Sequence, residues 1–190
     1  KSLVSLVLQG DPRVSDARRQ AVDEAMAQLG YRPNSKARAL SRSRSDTVGV
    51  LLNDLSNPWF VDLLAGLATT LHSSGLAPIL ADSQTDHRIG VGSVTTLLGQ
   101  DVDGLVVVGT TTEADAIALA ATRIPVVLAG TREPNLPDVD IVVNDDLAGA
   151  RSAAQHLIDL GHTRIAHLRG PGAIGTLRLE GFRSCLLDAG

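Results

Sequence analysis

Aromatic side chains are scarce in these 190 residues: one tryptophan, one tyrosine and two phenylalanines, 2% of the chain. A core built from this sequence must rest on valine, leucine, isoleucine and alanine, so each aromatic that does occur invites a specific role. Cysteine occurs once, at Cys185, which excludes a disulfide framework and a cysteine-based zinc site and fits a reducing compartment. No apolar run approaches the roughly 20 residues that cross a bilayer. The opening Lys1-Ser2-Leu3-Val4-Ser5 lacks the long apolar stretch and small-residue cleavage site of a secretory signal. The chain opens without an initiator methionine, and Cys185 to Gly190 reads as the end of a helix; a fragment of a longer protein is expected. Also missing are G-x-S-x-G, H-E-x-x-H and a Walker lysine. Nothing nominates a nucleophile with its base, so enzymatic activity is disfavoured. His156, His162 and His167 fall on different expected elements, and no metal or other cofactor is expected.

What is present is ordinary globular composition, 44% hydrophobic and 20% charged, enough for one or two domains with a real core. Charge divides it unevenly. Residues 1–46 hold nine Lys/Arg against five Asp/Glu, a net of +4, and residues 47–190 hold eight against sixteen, a net of −8. A basic head on an acidic body suggests that the head meets a polyanion.

The head reads as short helices. Leu3, Val4, Val7 and Leu8 are spaced for one helix over Ser2 to Leu8. Gln9-Gly10-Asp11-Pro12 is loop chemistry. Ser15 stands as an N-cap before Asp16, and Ala21, Val22, Ala25, Met26 and Leu29 form an apolar stripe that Gly30 ends. A further short helix is expected over Lys36 to Ser41, and Ser41 to Asp46 reads as an interdomain linker.

The body changes period. Apolar strand-like runs at 47–52, 76–81, 104–108, 125–128, 140–143 and 164–168 alternate with helical patterns at 58–74, 87–99, 113–121, 145–160 and 176–189. Almost wholly apolar strands alternating with helices imply an α/β fold with a parallel sheet covered on both faces. Such sheets bind ligands beyond the carboxyl ends of their strands. There the sequence places Asn53 to Phe60 (with Trp59 beside Phe60), Asp82-Ser83, Gly109-Thr110-Thr111, Gly130-Thr131-Arg132 and Asn144-Asp145-Asp146. Adjacent aromatics at a helix start can stack on a flat ring or a sugar face. Gly170 to Gly175 matches G-x-G-x-x-G between a strand and a helix, but Pro171 removes an amide from the loop, so a plain turn is favoured over a nicotinamide site.

The ordered set of segments carries a resemblance. Val14-Ser15, Ala17-Arg18, Leu29 to Asn34, Ala37 to Leu40, Asp54 to Phe60, Asn144 to Ala150, His156 to His162 and Arg178-Leu179-Glu180-Gly181-Phe182 together resemble the lactose/galactose-repressor (LacI/GalR) family of bacterial transcription regulators. The resemblance implies a partial helix-turn-helix head over 1–33, a hinge helix and linker over 34–46, the first lobe of a periplasmic-binding-protein-like (type I) effector domain over 47–162, and the start of a second lobe over 163–190. It implies DNA contacts by Lys1, Ser2, Ser5, Tyr31, Asn34, Ala37, Arg38 and Leu40, with Leu40 as a minor-groove wedge. Leu3, Leu6 and Gln9 depart from the family's usual Thr, Arg and Asn, and a leucine at position 6 has no donor for a phosphate or base. Trp59, Phe60, Asp145 and Arg178 are implied effector contacts, Arg178 as a clamp for a hydroxyl or carboxylate. The implied whole is a cytoplasmic, nucleoid-associated homodimeric repressor that binds operator DNA under control of a small effector, a sugar by preference. A stand-alone sugar-binding protein of the same fold is the alternative reading.

Overall fold

The structure, a computed structural model, describes residues 2–8, 10–31 and 44–190. The hinge helix expected over Lys36 to Ser41 therefore lies outside the described residues. The chain divides into two compact units, Lys1–Ser45 and Asp46–Gly190.

In the first unit, α1 (Leu3–Leu8) and α2 (Asp16–Gln28) enclose a small core of Val7, Val14 and Val22, flanked by Val4, Leu6 and Met26. The Ser2 hydroxyl accepts from the Ser5 amide at 3.3 Å and starts α1. Between the helices, Asp11 gathers the Arg13 backbone and guanidinium N–H groups. Arg19 reaches back from α2 to donate to the carbonyls of Val7 and Asp11, both at 3.3 Å. A cation there complements the open carbonyls at the end of α1. Ser15 stands at the expected cap with extended backbone, but its side chain makes no cap hydrogen bond. Its carbonyl, accepting from Arg19 N, begins the helical ladder instead. The stop at Gly30 follows the expectation: with φ +60°, it lets its own amide and that of Tyr31 bond back to Ala27 and Met26. Of the α2 apolar stripe only Val22 is buried, and Leu29 is 82% exposed. Six residues of α1 are too few to cover a stripe that long.

In the second unit, β1 (Thr47–Leu52), β2 (Ala77–Asp82), β3 (Gly104–Val108), β4 (Val126–Ala129) and β5 (Asp140–Val142) form one all-parallel sheet in the order β2-β1-β3-β4-β5. The helices are α3 (Pro58–Ser73), α4 (Ser83–Arg88), α5 (Ser93–Leu98), α6 (Ala114–Ala121), α7 (Asp146–Asp159) and α8 (Gly172–Ala189). Successive strand residues point to opposite faces. Leu51, Leu105, Val107, Val126 and Leu128 meet Val94 and Leu97 of α5 and Ile117 and Ala120 of α6. Val50, Leu52, Val108 and Ala129 meet Phe60, Leu63, Leu64 and Leu67 of α3. Both faces are thus covered, which is why the inner strands carry no polar alternation.

Three expectations change. The helical pattern at 87–99 is two short helices, because Gly90 turns with φ +73°. Each helix gets its own cap: Asp82 accepts from Thr85 N at 2.9 Å, and Glu113, remote in sequence, accepts from Ser93 N at 3.2 Å and Val94 N at 3.0 Å. Residues 164–168 form no strand. They pair with no neighbour among the described residues, and Leu168 is 97% exposed; a strand without a ladder has nothing to satisfy its backbone. The last helix begins at Gly172, four residues earlier than the periodicity suggests. No helix among the described residues is long and apolar enough to cross a membrane.

Replacing the fully buried Leu97 by alanine should cost about 2–5 kcal/mol of stability. Glu113→Ala, which uncaps α5 from a distance, should cost about 1–2 kcal/mol. Denaturant midpoints measure both; an unchanged midpoint for Glu113→Ala would remove its capping role.

Candidate functional site

Parallel strands place all their carboxyl ends on one edge, and β2 and β3 flank β1 on opposite sides, so the winding of the chain reverses there. A crevice forms where the winding reverses. At that edge lies a cavity of about 560 Å³ whose wall includes Asn53, Asn57, Trp59, Phe60, Thr110, Asn144, Asp146, His167 and Arg178.

The aromatic pair is aimed by the start of α3. The Asn57 side chain accepts from Trp59 N at 3.1 Å, and Pro58 fixes the first helical φ. Upstream, Asp54 accepts from the Ser56 amide at 2.8 Å and hydroxyl at 2.6 Å, bonds that hold its carboxyl below the usual carboxylate range. Trp59 and Phe60 then meet edge to face, with centroids 5.1 Å apart. Phe60 is buried in the core beneath the cavity, whereas Trp59 is 42% exposed at its wall. Their seats are two glycines just after β3 and β4. A Cβ on Gly130 would lie 2.7 Å from the Trp59 ring, and one on Gly109 would lie 2.9 Å from the Phe60 ring. Both glycines hold positive φ, +66° and +78°, so each is required twice, by backbone and by space.

The opposite wall comes from α7 and α8. Asp145 caps α7 by accepting from Ala148 N at 2.9 Å, and it is not among the cavity-lining residues. Its neighbour Asp146, one helical step round, lines the cavity, is buried, and accepts from Arg178 Nε at 2.8 Å. Arg178 reaches it because α8 lies close on α7: a side chain at Gly181 would strike the Leu147 carbonyl. The Arg151–Asp188 pair at 2.7 Å and the contact between Cys185 Sγ and Gln155 at 3.4 Å hold the two helices together further along. Asp146 and Arg178 are the only charged groups of the lining, and they neutralise one another. His167 stands between the walls, its ring stacked on Phe182 at 5.0 Å.

Three of the four expected effector residues, Trp59, Phe60 and Arg178, come together here. Asp146, from the strand-end segment Asn144-Asp145-Asp146, joins them, and so does His167, which the sequence does not nominate. The sequence puts two aspartates after β5, and only the helix start decides which is the cap and which faces the crevice. Gly170 to Gly175 reaches the cavity too, but the space over Gly175 is filled by the Gly170 carbonyl; that glycine serves a tight turn into α8. Of the expected DNA-contacting residues, Ser2 and Tyr31 are exposed and Ser5 half-buried in the head. Lys1, Asn34, Ala37, Arg38 and Leu40 lie outside the described residues. Among the described residues no group of three or more His, Cys, Asp or Glu could hold a metal.

Residues 45–190 match the family of periplasmic binding proteins and the sugar binding domain of the LacI family. Residues 1–34 match the bacterial regulatory proteins of the lacI family. The maltose regulon regulatory protein MalI of Escherichia coli K12 is 36% identical, over 100% of this chain and 56% of its own. The ribose operon repressor of the same organism is 33% identical, over 100% of this chain and 58% of its own. Among solved structures, a CelR–cellobiose complex is 31% identical with a TM-score of 0.63, covering 97% of this chain and 57% of that one. The Lac repressor dimer bound to operator and the anti-inducer ONPF is 26% identical with a TM-score of 0.80, covering 98% and 58%. The chain thus spans little more than half the length of the curated relatives it matches. With both family models matched in order, and with the parallel sheet and its crevice in place, the chain belongs to the LacI family of bacterial regulatory proteins.

Proposed function

We propose that this chain is the DNA-binding and first sugar-binding portion of a transcriptional repressor, whose operator affinity is set by a carbohydrate held in the cavity beside Trp59. The observation that carries the sugar reading is the cavity's chemistry. A half-exposed indole offers a flat apolar face, amides and a hydroxyl from Asn53, Asn144 and Thr110 line the same cavity, and the two charges of the lining cancel. A neutral polyol satisfies such a wall, whereas an anion would have to compete with Asp146 for Arg178. Relatives named for maltose and ribose regulons and a cellobiose-bound neighbour support the same class. The basic head, matched to the regulatory family over 1–34, supports operator DNA as the other partner. A homodimer on a two-fold operator in the bacterial cytoplasm, associated with the nucleoid, follows from that reading. Coupling between the sites requires a sugar that prefers one of two states of the DNA-binding region.

In this reading Trp59, Phe60, Asp146 and Arg178 hold the effector, with Asp145 acting through the α7 cap. Ser2, Ser5, Tyr31 and Lys1 serve the operator from the head, and Asn34, Ala37, Arg38 and Leu40 from the hinge. Leu40 wedges into the minor groove, and the cost of unstacking is offset by the contacts a bent duplex permits.

Selection of bound duplexes from a random pool by the full-length protein should enrich a palindrome, with affinity falling steeply as salt rises. Recovery of no motif with or without sugars would defeat the operator reading. Leu40→Ala should weaken operator binding on the order of tenfold while sugar affinity stays unchanged; equal operator affinity removes the wedge. Arg178→Ala should leave operator binding intact and abolish its response to sugar. Gly130→Ala, which drives a methyl into the Trp59 seat, should weaken sugar binding and shift the Trp59 emission. Unaltered emission and affinity would show that the seat is not needed.

A further inference from the structure

The His167 imidazole is fixed by stacking on Phe182, with centroids 5.0 Å apart and planes inclined by 27°. It lines the cavity, yet its Nδ1 is sealed from solvent and has no hydrogen-bond partner among the described residues. The residue as a whole is half-buried and Nδ1 is its one sealed, unpartnered nitrogen, which leaves Nε2 as the nitrogen able to face the cavity. A neutral imidazole carries its proton on one nitrogen and a lone pair on the other. Orphaned buried N–H groups are the rarer of the two failures, since a lone pair without a donor is better tolerated than a proton facing apolar atoms. The buried Nδ1 therefore keeps the lone pair, and the proton goes to Nε2.

Resting on the sugar reading of the cavity, we propose that His167 is a specificity-determining contact: a fixed Nε2–H donor that reads an acceptor oxygen of the bound carbohydrate. The rest of the wall gives this donor a distinct part. Trp59 reads a ring face, and Arg178 is partly engaged by Asp146. His167 offers a single, directional N–H held in place by an aromatic stack. Its position in the 162–170 segment, which has no regular secondary structure, puts the donor on the connection between α7 and α8. A sugar bridging Trp59 and His167 would therefore tie the sheet edge to the start of α8.

The test uses the full-length protein. Imidazole nitrogen NMR, with His167 assigned by comparison with His167→Gln, should show an Nε2-protonated ring; an Nδ1-protonated ring overturns the proposal. Ribose, cellobiose and maltose are then titrated separately, with Trp59 emission reporting occupancy of the cavity. The sugar that shifts Trp59 should also move the His167 Nε2 signal. His167→Phe keeps the ring stack and loses the donor, and should bind that sugar about threefold to tenfold more weakly. His167→Gln, which returns an amide N–H near the Nε2 position, should recover most of the affinity. If a sugar shifts Trp59 but binds His167→Phe equally well, the His167 contact falls while the sugar site stands. If none of the three sugars moves either signal, both fall together.

Discussion

The all-parallel register of the sheet is the constraint on which the rest of this structure depends. Valine- and leucine-rich strands with no polar face must be covered on both sides. Here α5 and α6 cover one face and α3 the other. Coverage by crossover helices makes the strands parallel, and parallel strands deliver their carboxyl ends to a single edge. Asn53, Gly109, Gly130 and Asn144 meet there although nearly a hundred residues separate the first from the last. The cavity is thus a consequence of how the core is buried.

At that edge the scarce aromatics and the abundant glycines act together. Trp59 could not lie over the end of β4 with a side chain at Gly130, nor Phe60 over β3 with one at Gly109. The large ring and the missing side chain are halves of one packing solution. A second such solution, at Gly181, draws α8 onto α7 and carries Arg178 to Asp146. The pair leaves the cavity wall close to neutral, which favours a ligand recognised by stacking and neutral hydrogen bonds over one recognised by charge.

The head depends on different physics. Two helices and a valine core of three residues are held by Arg19 on the carbonyls of Val7 and Asp11 and by the turn at Gly30. Its exposed apolar groove, formed by Leu3, Ala25, Leu29 and Tyr31 among others, stands in contrast to the sealed core of the body. Net positive charge, which the body does not carry, is concentrated in this part of the chain.

Much of this was legible in the residues themselves. Period, cap and breaker signals mark α1, α2, α3, α6, α7 and all five strands, because each rests on local spacing: Asn57-Pro58 before a helix, Gly30 after one, unbroken apolar runs for buried strands. The ordered segments from Val14 to Phe182 point to the family and, through it, to Arg178, while strand-end logic points to Trp59 and Phe60. What local spacing could not decide is whatever depends on a distant partner. Glu113, twenty residues further on, caps the helix at Ser93 that follows the Gly90 turn. The 164–168 run, apolar enough for a strand, has no ladder to join among the described residues. Asp145 and Asp146 are adjacent in sequence and chemically identical; the start of α7 makes Asp145 its cap, and the packing of α8 on α7 makes Asp146 the partner of Arg178. His167 reads as an ordinary histidine until Phe182 stacks on its ring and the surrounding packing seals its Nδ1. Residue types and short-range order belong to the sequence, whereas burial and pairing exist only once remote segments meet.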